Sequence, residues 1–238
     1  MNVPSTAMVL AAGLGTRMRP LTEDRPKALV EVAGKPLIGH MLDRLTEAGA
    51  QTAVVNVHYF ADRLEAYLAQ RHQPRILVSD ERSQLMETGG GLKKARPLLG
   101  EEPIWVANID SVWIEGVRPA LPSLAAAWEP ERMDARLLLA PLERTLGFDG
   151  PGDFFLAEGG RLTHRGGEAR APYAYIGVQI LKPQAVDGGP EGPFSLFATW
   201  MDMMARGRLF GTVMDGWWMH VGDPEALKAA EVRLAAGA

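Results

Sequence analysis

The sequence predicts a three-layer α/β fold, with a mostly parallel central sheet, helices on both faces and a small antiparallel lobe in the second half. Three observations lead there. Short, almost wholly apolar runs at residues 8–12, 51–57, 76–79 and 103–108 alternate with segments whose apolar residues recur at helical spacing. The first run stops at a glycine-rich turn and the fourth at a carboxylate, the strand-end edge where open α/β sheets bind ligands. From residue 141 to about 170 the pattern breaks into glycine, proline and short alternating runs, the composition of a small β-rich lobe.

Taken in order, the first strand (Met8, Val9, Leu10, Ala11, Ala12) gives way to Gly13-Leu14-Gly15-Thr16-Arg17, and Lys27 follows behind Pro26. Glycines let a backbone approach a polyphosphate and aim its N–H groups at the oxygens. Arg17 and Lys27 bring fixed positive charge to the same anion. The P-loop pattern is absent, and Met18 stands where a dinucleotide fingerprint needs its third glycine. Leu37, Ile38, Met41, Leu42 and Leu45 space as the buried face of a helix that Gly49 ends. Residues 51–57 read as the second parallel strand and 60–69 as an amphipathic helix with Phe60, Leu64 and Leu68 inward. His58, at the end of that strand, is expected to be hydrogen-bonded rather than chemical. Residues 76–79 form a third short strand.

Glu87, Thr88 and the three glycines 89–91 open a helix continuing through Leu92, Ala95, Leu98 and Leu99. They make either a flexible turn or a place where a flat ring or phosphate comes close. Asp110, just beyond the buried strand 103–108, stands where a Mg²⁺ serving a triphosphate would be held; a turn cap is the other reading. Leu121, Leu124, Ala125 and Trp128 make a further helix, 135–140 and 173–180 further strands. Leu196, Phe197, Trp200, Met203 and Met204 are expected on the inner face of a helix. Asp223-Pro224-Glu225 is a helix start, with Asp at the N-cap and Pro in the first position.

Composition narrows the function classes. With 238 residues, 47% hydrophobic and 23% charged, the chain suits one α/β domain with a sizeable core. It has no cysteine, which excludes disulfides, thiolate metal sites and cysteine nucleophiles. A formal net charge of −4 offers no global attraction to nucleic acid. No apolar run is long enough for a signal peptide or a membrane span, so a cytoplasmic protein without membrane partners is expected.

The string AAGLGTRMRPLT followed by RPKAL resembles the signature of the sugar-nucleotide pyrophosphorylases, nucleotidyltransferases that join a nucleoside triphosphate to a sugar 1-phosphate. The resemblance continues through the GKPL, TGG and strand-end Asp elements, the strand at 173–180 and the closing W-x-x-V-G, nearly the whole chain. It implies a Rossmann-like nucleotidyltransferase fold over 1–238, with 1–115 mainly for the nucleotide and 116–238 mainly for the sugar phosphate. It implies that Ala11, Ala12, Gly13, Gly15 and Thr16 wrap the triphosphate. Arg17 then holds the leaving pyrophosphate, Lys27 the reacting phosphate, and Asp110 the metal. Glu87, Thr88, Gly89 and Gly90 fall beside the base and ribose, and Gly177 in the sugar pocket.

The chain departs from that family at two places. The usual glutamate-lysine-proline triplet is missing, and Arg165 is the substitute near its position. The family's second metal aspartate is replaced by His220, with Asp223 either compensating or serving as the helix cap. Mg²⁺ is the implied cofactor, with Mn²⁺ an option given an imidazole. Gly152-Asp153-Phe154 resembles an element of the short-chain branch, the N-acetylmuramate-1-phosphate uridylyltransferases, although Asp153 is equally plausible as a turn residue. UTP and N-acetylmuramate 1-phosphate are the expected substrates. GTP with mannose 1-phosphate, or binding of a nucleotide sugar with little catalysis, are the alternatives.

Overall fold

The computed structural model describes residues 3–237. The chain begins with β1 (Thr6–Leu10), passes the short pair β2 (Glu31–Val32) and β3 (Lys35–Pro36), and enters α1 (Leu37–Glu47). Next come β4 (Thr52–Val57), α2 (Ala61–Leu68), β5 (Arg75–Asp80), α3 (Glu87–Leu99) and β6 (Ile104–Asn108). Strand β7 (Ser111–Ile114), α4 (Ala120–Ala126), β8 (Ala135–Pro141) and β9 (Thr145–Leu146) follow. The remainder is β10 (Phe154–Leu156), β11 (Leu162–His164), β12 (Tyr173–Leu181), α5 (Leu196–Ala205), β13 (Leu209–Val213), β14 (Trp217–His220) and α6 (Pro224–Ala236).

The central sheet is nine-stranded, and its main path runs β11-β10-β12-β6-β1-β4-β5, with β8 on β12 and β13 on β8. Strands β5, β4, β1 and β6 lie parallel, the arrangement that the alternation of apolar runs and helices predicts. Strand β12 then enters antiparallel to β6 and to β8. The β10–β11 hairpin is antiparallel and continues that edge, so the smaller antiparallel part extends the central sheet.

Alternation along the strands separates two apolar layers. Ala7, Val9, Trp105 and Ala107 point into one cluster with the inner faces of α1, α2 and α4. Met8, Ile104 and Val106 point into the other, with Leu92, Ala95 and Leu99 of α3 and Leu196 and Met203 of α5. Strands covered on both faces must be apolar throughout, which is why β1 and β6 read as unbroken hydrophobic runs. Helix α5 corrects one expectation: Phe197 is 40% exposed, its ring set edge-on against His164 rather than in the core. Trp128 lies past the end of α4 yet is buried.

Strands β7, β13 and β14 have no counterpart in the sequence reading, nor does the short pair β2–β3. The second and third elements of the small sheet β7-β14-β9 come from distant segments. Its register pairs His220 with Ser111, and the Val221 N–H donates to the Asp110 carbonyl at 2.9 Å. That pairing carries the carboxyl-terminal segment to the end of β6. No helix of the described residues is long and apolar enough to cross a membrane.

Candidate active site

At the carboxyl ends of β1, β4 and β6 lies a cleft of about 320 Å³. Its wall includes Ala11, Ala12, Gly13, Gly15, Thr16 and Arg17 of the glycine turn. Lys27, Glu87, Thr88 and Asp110 complete the part that the motifs name.

The turn is held by its own chain. Gly15 has φ +64°, and a Cβ there would stand 2.9 Å from the Lys27 Cβ, so only glycine allows the lysine stem to pass. The Thr22 hydroxyl donates to the Gly15 carbonyl at 2.8 Å, and the Met18 N–H to the same carbonyl at 2.9 Å. Arg17 is exposed on this turn. Lys27 instead threads inward, and its Nζ donates to Asp110 Oδ2 at 2.7 Å, the two side chains being 11% and 22% exposed.

His220 completes the group. Its Nε2 lies 3.4 Å from the same Asp110 oxygen, and its Nδ1 lies 3.2 Å from the Gly147 carbonyl. Burial opposes charge on Asp110. The adjacent His220 and Lys27 outweigh that penalty and hold its carboxyl well below the usual carboxylate range.

Among the described residues no cluster of three or more His, Cys, Asp or Glu side chains is able to hold a metal ion by itself. Asp110 and His220 offer one carboxylate oxygen and one imidazole nitrogen side by side. Such a pair suits a divalent ion whose remaining ligands are phosphate oxygens and water, as Mg²⁺ is often held; the nitrogen favours Mn²⁺. Asp223 is spent elsewhere. Its Oδ1 accepts from the N–H groups of Glu225 at 3.0 Å and Ala226 at 2.9 Å, as the cap of α6.

Gly89, Gly90, Asp153, Arg165 and Gly177, all named from sequence, lie off the cleft wall. Gly89 and Gly90 sit inside α3, their N–H groups donating to the Phe194 carbonyl at 2.9 and 3.1 Å. A Cβ on Gly90 would stand 2.5 Å from the Gly192 carbonyl oxygen. The close approach that these glycines permit is therefore to the chain's own backbone. Thr88 Oγ1 accepts from the Leu196 N–H at 2.9 Å and pins α5 to the start of α3. Asp153 Oδ2 accepts from the Tyr175 N–H at 2.8 Å, and Arg165 Nε donates to the Gly152 carbonyl at 3.1 Å. Both serve the hairpin that carries them. Burial pushes the Asp153 carboxyl above its usual value, and the Tyr175 N–H counters this only in part. Gly177 lies in the irregular stretch of β12 and faces Asn108 on the cleft wall.

Several wall residues escaped the sequence reading: Asn56, Leu85, Asn108, Ile109 and Gly222. The missed signal for Asn56 is a carboxamide within an otherwise apolar run. His58 Nδ1 lies 2.7 Å from the Glu81 carbonyl, in the hydrogen-bonded role expected of it.

Comparison with known proteins fits this geometry. The MobA-like NTP transferase domain matches residues 7–141. An N-acetylmuramate alpha-1-phosphate uridylyltransferase of Caulobacter vibrioides is 58% identical over 98% of both chains. A mannose-1-phosphate guanyltransferase beta-B of Xenopus laevis is 28% identical, over 92% of this chain and 61% of that protein. Among solved structures, a UDP-glucose pyrophosphorylase complexed with UDP-glucose superposes with a TM-score of 0.80 at 18% identity, covering 99% of this chain and all of that one. At that identity the likeness speaks for the fold alone.

Proposed function

We propose that this chain, which belongs to the family of MobA-like NTP transferases, joins UTP to N-acetylmuramate 1-phosphate, giving the nucleotide sugar and pyrophosphate. The observation that carries the reading is the Lys27–Asp110 pair, 2.7 Å apart beside a glycine turn. The uridylyl assignment follows the relative at 58% identity over nearly the whole length, against 28% for the guanyltransferase.

A phosphate oxygen of the sugar 1-phosphate attacks the α-phosphorus of UTP in line with the leaving pyrophosphate. The new P–O bond forms as the bond to the β-phosphate bridging oxygen breaks. No covalent enzyme intermediate is needed, so the protein's task is positioning and charge neutralisation. Backbone N–H groups from Gly13 to Thr16 cradle the triphosphate, those of Ala11 and Ala12 being taken by the Asn56 carboxamide oxygen. Arg17, exposed on the turn, receives the leaving pyrophosphate. Lys27 releases Asp110 and turns its ammonium to the α-phosphate, a movement of one flexible side chain. Asp110, with His220 beside it, would hold a divalent ion, which supplies charge stabilisation to the phosphates when bound. Asp153 and Arg165 build the hairpin rather than contact the sugar, and Glu87 faces the nucleoside.

The test is pyrophosphate release across a panel of nucleoside triphosphates and sugar 1-phosphates. UTP with N-acetylmuramate 1-phosphate is expected to give the highest kcat/KM. A preference for GTP with mannose 1-phosphate would replace the substrate assignment. Release with no pair would leave a nucleotide-sugar-binding protein.

A further inference from the structure

Two buried polar side chains outside the glycine signature tie the walls of the cleft together. Asn56, in β4, is 3% exposed, and Glu81, just past β5, is fully buried. Asn56 Oδ1 accepts from the N–H of Ala11 at 2.6 Å and of Ala12 at 3.3 Å. Its Nδ2 donates to Glu81 Oε1 at 2.8 Å. Glu81 Oε2 accepts from the N–H of Met86 at 3.0 Å, the residue that precedes α3. One line of hydrogen bonds thus runs from the root of the glycine turn to the start of α3.

The direction of every bond is fixed by its ends. Backbone N–H groups stand at both, and these only donate. A carboxamide accepts on one side and donates on the other, so the next member must accept on both sides. A carboxylate does this and a second carboxamide does not. Burying a carboxylate against neutral donors is expensive, and an apolar pair would serve as well if the segment needed only filling. What the costly pair secures is a spacing. Met86 is followed by Glu87 in the left-handed region, φ +58°, a conformation disfavoured for a residue with a side chain. A Cβ on Gly91 would stand 2.9 Å from Glu81 Oε1, so the first turn of α3 also rests directly on the carboxylate.

We propose that Asn56 and Glu81 are a positioning pair that sets the gap between the glycine turn and the Met86–Glu87 turn, and with it the slot for the nucleoside of the triphosphate. This rests on reading the cleft as a nucleoside triphosphate site. The test is a polarity exchange with three variants, Asn56→Asp, Glu81→Gln and the two combined. Asn56→Asp sets two acceptors against each other, and Glu81→Gln sets two donors. In the combined variant the new glutamine donates to the new aspartate and accepts from Met86, so every bond is matched again.

UTP affinity is measured by calorimetry, hydrogen exchange at the Ala11 and Met86 amides without nucleotide, and folding by thermal melting. Each single variant is expected to weaken UTP binding about tenfold or more and to speed both exchanges, on the scale of one mismatched buried hydrogen bond. The combined variant is expected within about threefold of the native affinity, a coupling that independent sites would not show. Native UTP affinity in folded single variants overturns the proposal, as does a combined variant no better than the product of the singles. If a single variant does not fold, the combined one decides by the same threshold. A native chain that binds no triphosphate sinks the functional reading and the positioning role together. In that case the exchange data alone report the pair as a strut of the fold.

Discussion

Two half-buried aspartates, one at the parallel part of the sheet and one in the antiparallel hairpin, behave in opposite ways. Asp110 ends the parallel half of the sheet with Lys27 and His220 against one oxygen, and its carboxyl is held below the usual range. Asp153 sits in the antiparallel hairpin, bonded to the Tyr175 N–H, and burial pushes its carboxyl up. Both carry glycine-rich or strand-end signatures that point to a ligand. The difference lies in what surrounds them. A carboxylate paired with a lysine ammonium at a cleft is a charge that a ligand can use, whereas one facing a backbone N–H is a brace between strands.

The sharpest way to break the comparison is to delete the charge on each side. Asp110→Ala is expected to lower turnover beyond measurement and Lys27→Ala by at least about 100-fold, the scale of a preorganised charge at a reacting centre. Asp153→Ala and Arg165→Ala should leave kcat within about threefold while lowering the melting temperature, because their bonds are structural. Steady-state kinetics on the four variants checks this, and a collapse of kcat in Asp153→Ala would erase the distinction.

His220 tests how much of the Asp110 side is metal chemistry. If it only hydrogen-bonds a metal-bound water, His220→Ala costs about fivefold. His220→Asp should then tighten Mg²⁺ binding, read from the Mg²⁺ dependence of turnover and from direct titration of the ion with UTP. Direct ligation by the imidazole predicts instead a preference for Mn²⁺. Unchanged Mg²⁺ affinity in His220→Asp would remove this position from the metal site.

Asp223 offers a smaller, purely structural effect. Its side chain caps α6, so Asp223→Ala should cost about 1 kcal/mol in urea unfolding. The metal dependence of turnover should not change. A shifted metal requirement would return Asp223 to the ligand set.

The smallest effect is a pair of opposite pH slopes. The native pKa of Asp153 lies above its unfolded value. Its contribution to stability is therefore complete below about 3.9 and is lost as pH rises through the native value. Asp110 has the reverse sign: its contribution is present above about 3.9 and is lost as pH falls through a native value lower than that. The difference in urea midpoint between the native chain and Asp153→Asn should shrink as pH rises from about 4 to about 7. The corresponding difference for Asp110→Asn should shrink as pH falls below about 4. Slopes of the same sign would mean that the two environments are alike.

The alternation of apolar runs with helical spacing determined the parallel half of the sheet, because its inner strands β1, β4 and β6 are buried on both faces. The glycine turn, Lys27 and Asp110 were legible for the same reason: each follows directly from the end of a strand or a short loop, so local pattern and spatial position coincide. The cap at Asp223 belongs with them, since a helix start is a local event. Tertiary structure alone decided what depends on pairing between distant segments. Strands β7 and β14 are short, and neither is marked by period; their register is what sets His220 beside Asp110. Gly89 and Gly90 look like ligand glycines until the 192–194 segment is seen filling the space beside them. Asn56 and Glu81 lie 25 residues apart, and neither has meaning alone. A donor needs its acceptor, and in a folded chain the choice of acceptor is made by the sheet that brings the two together.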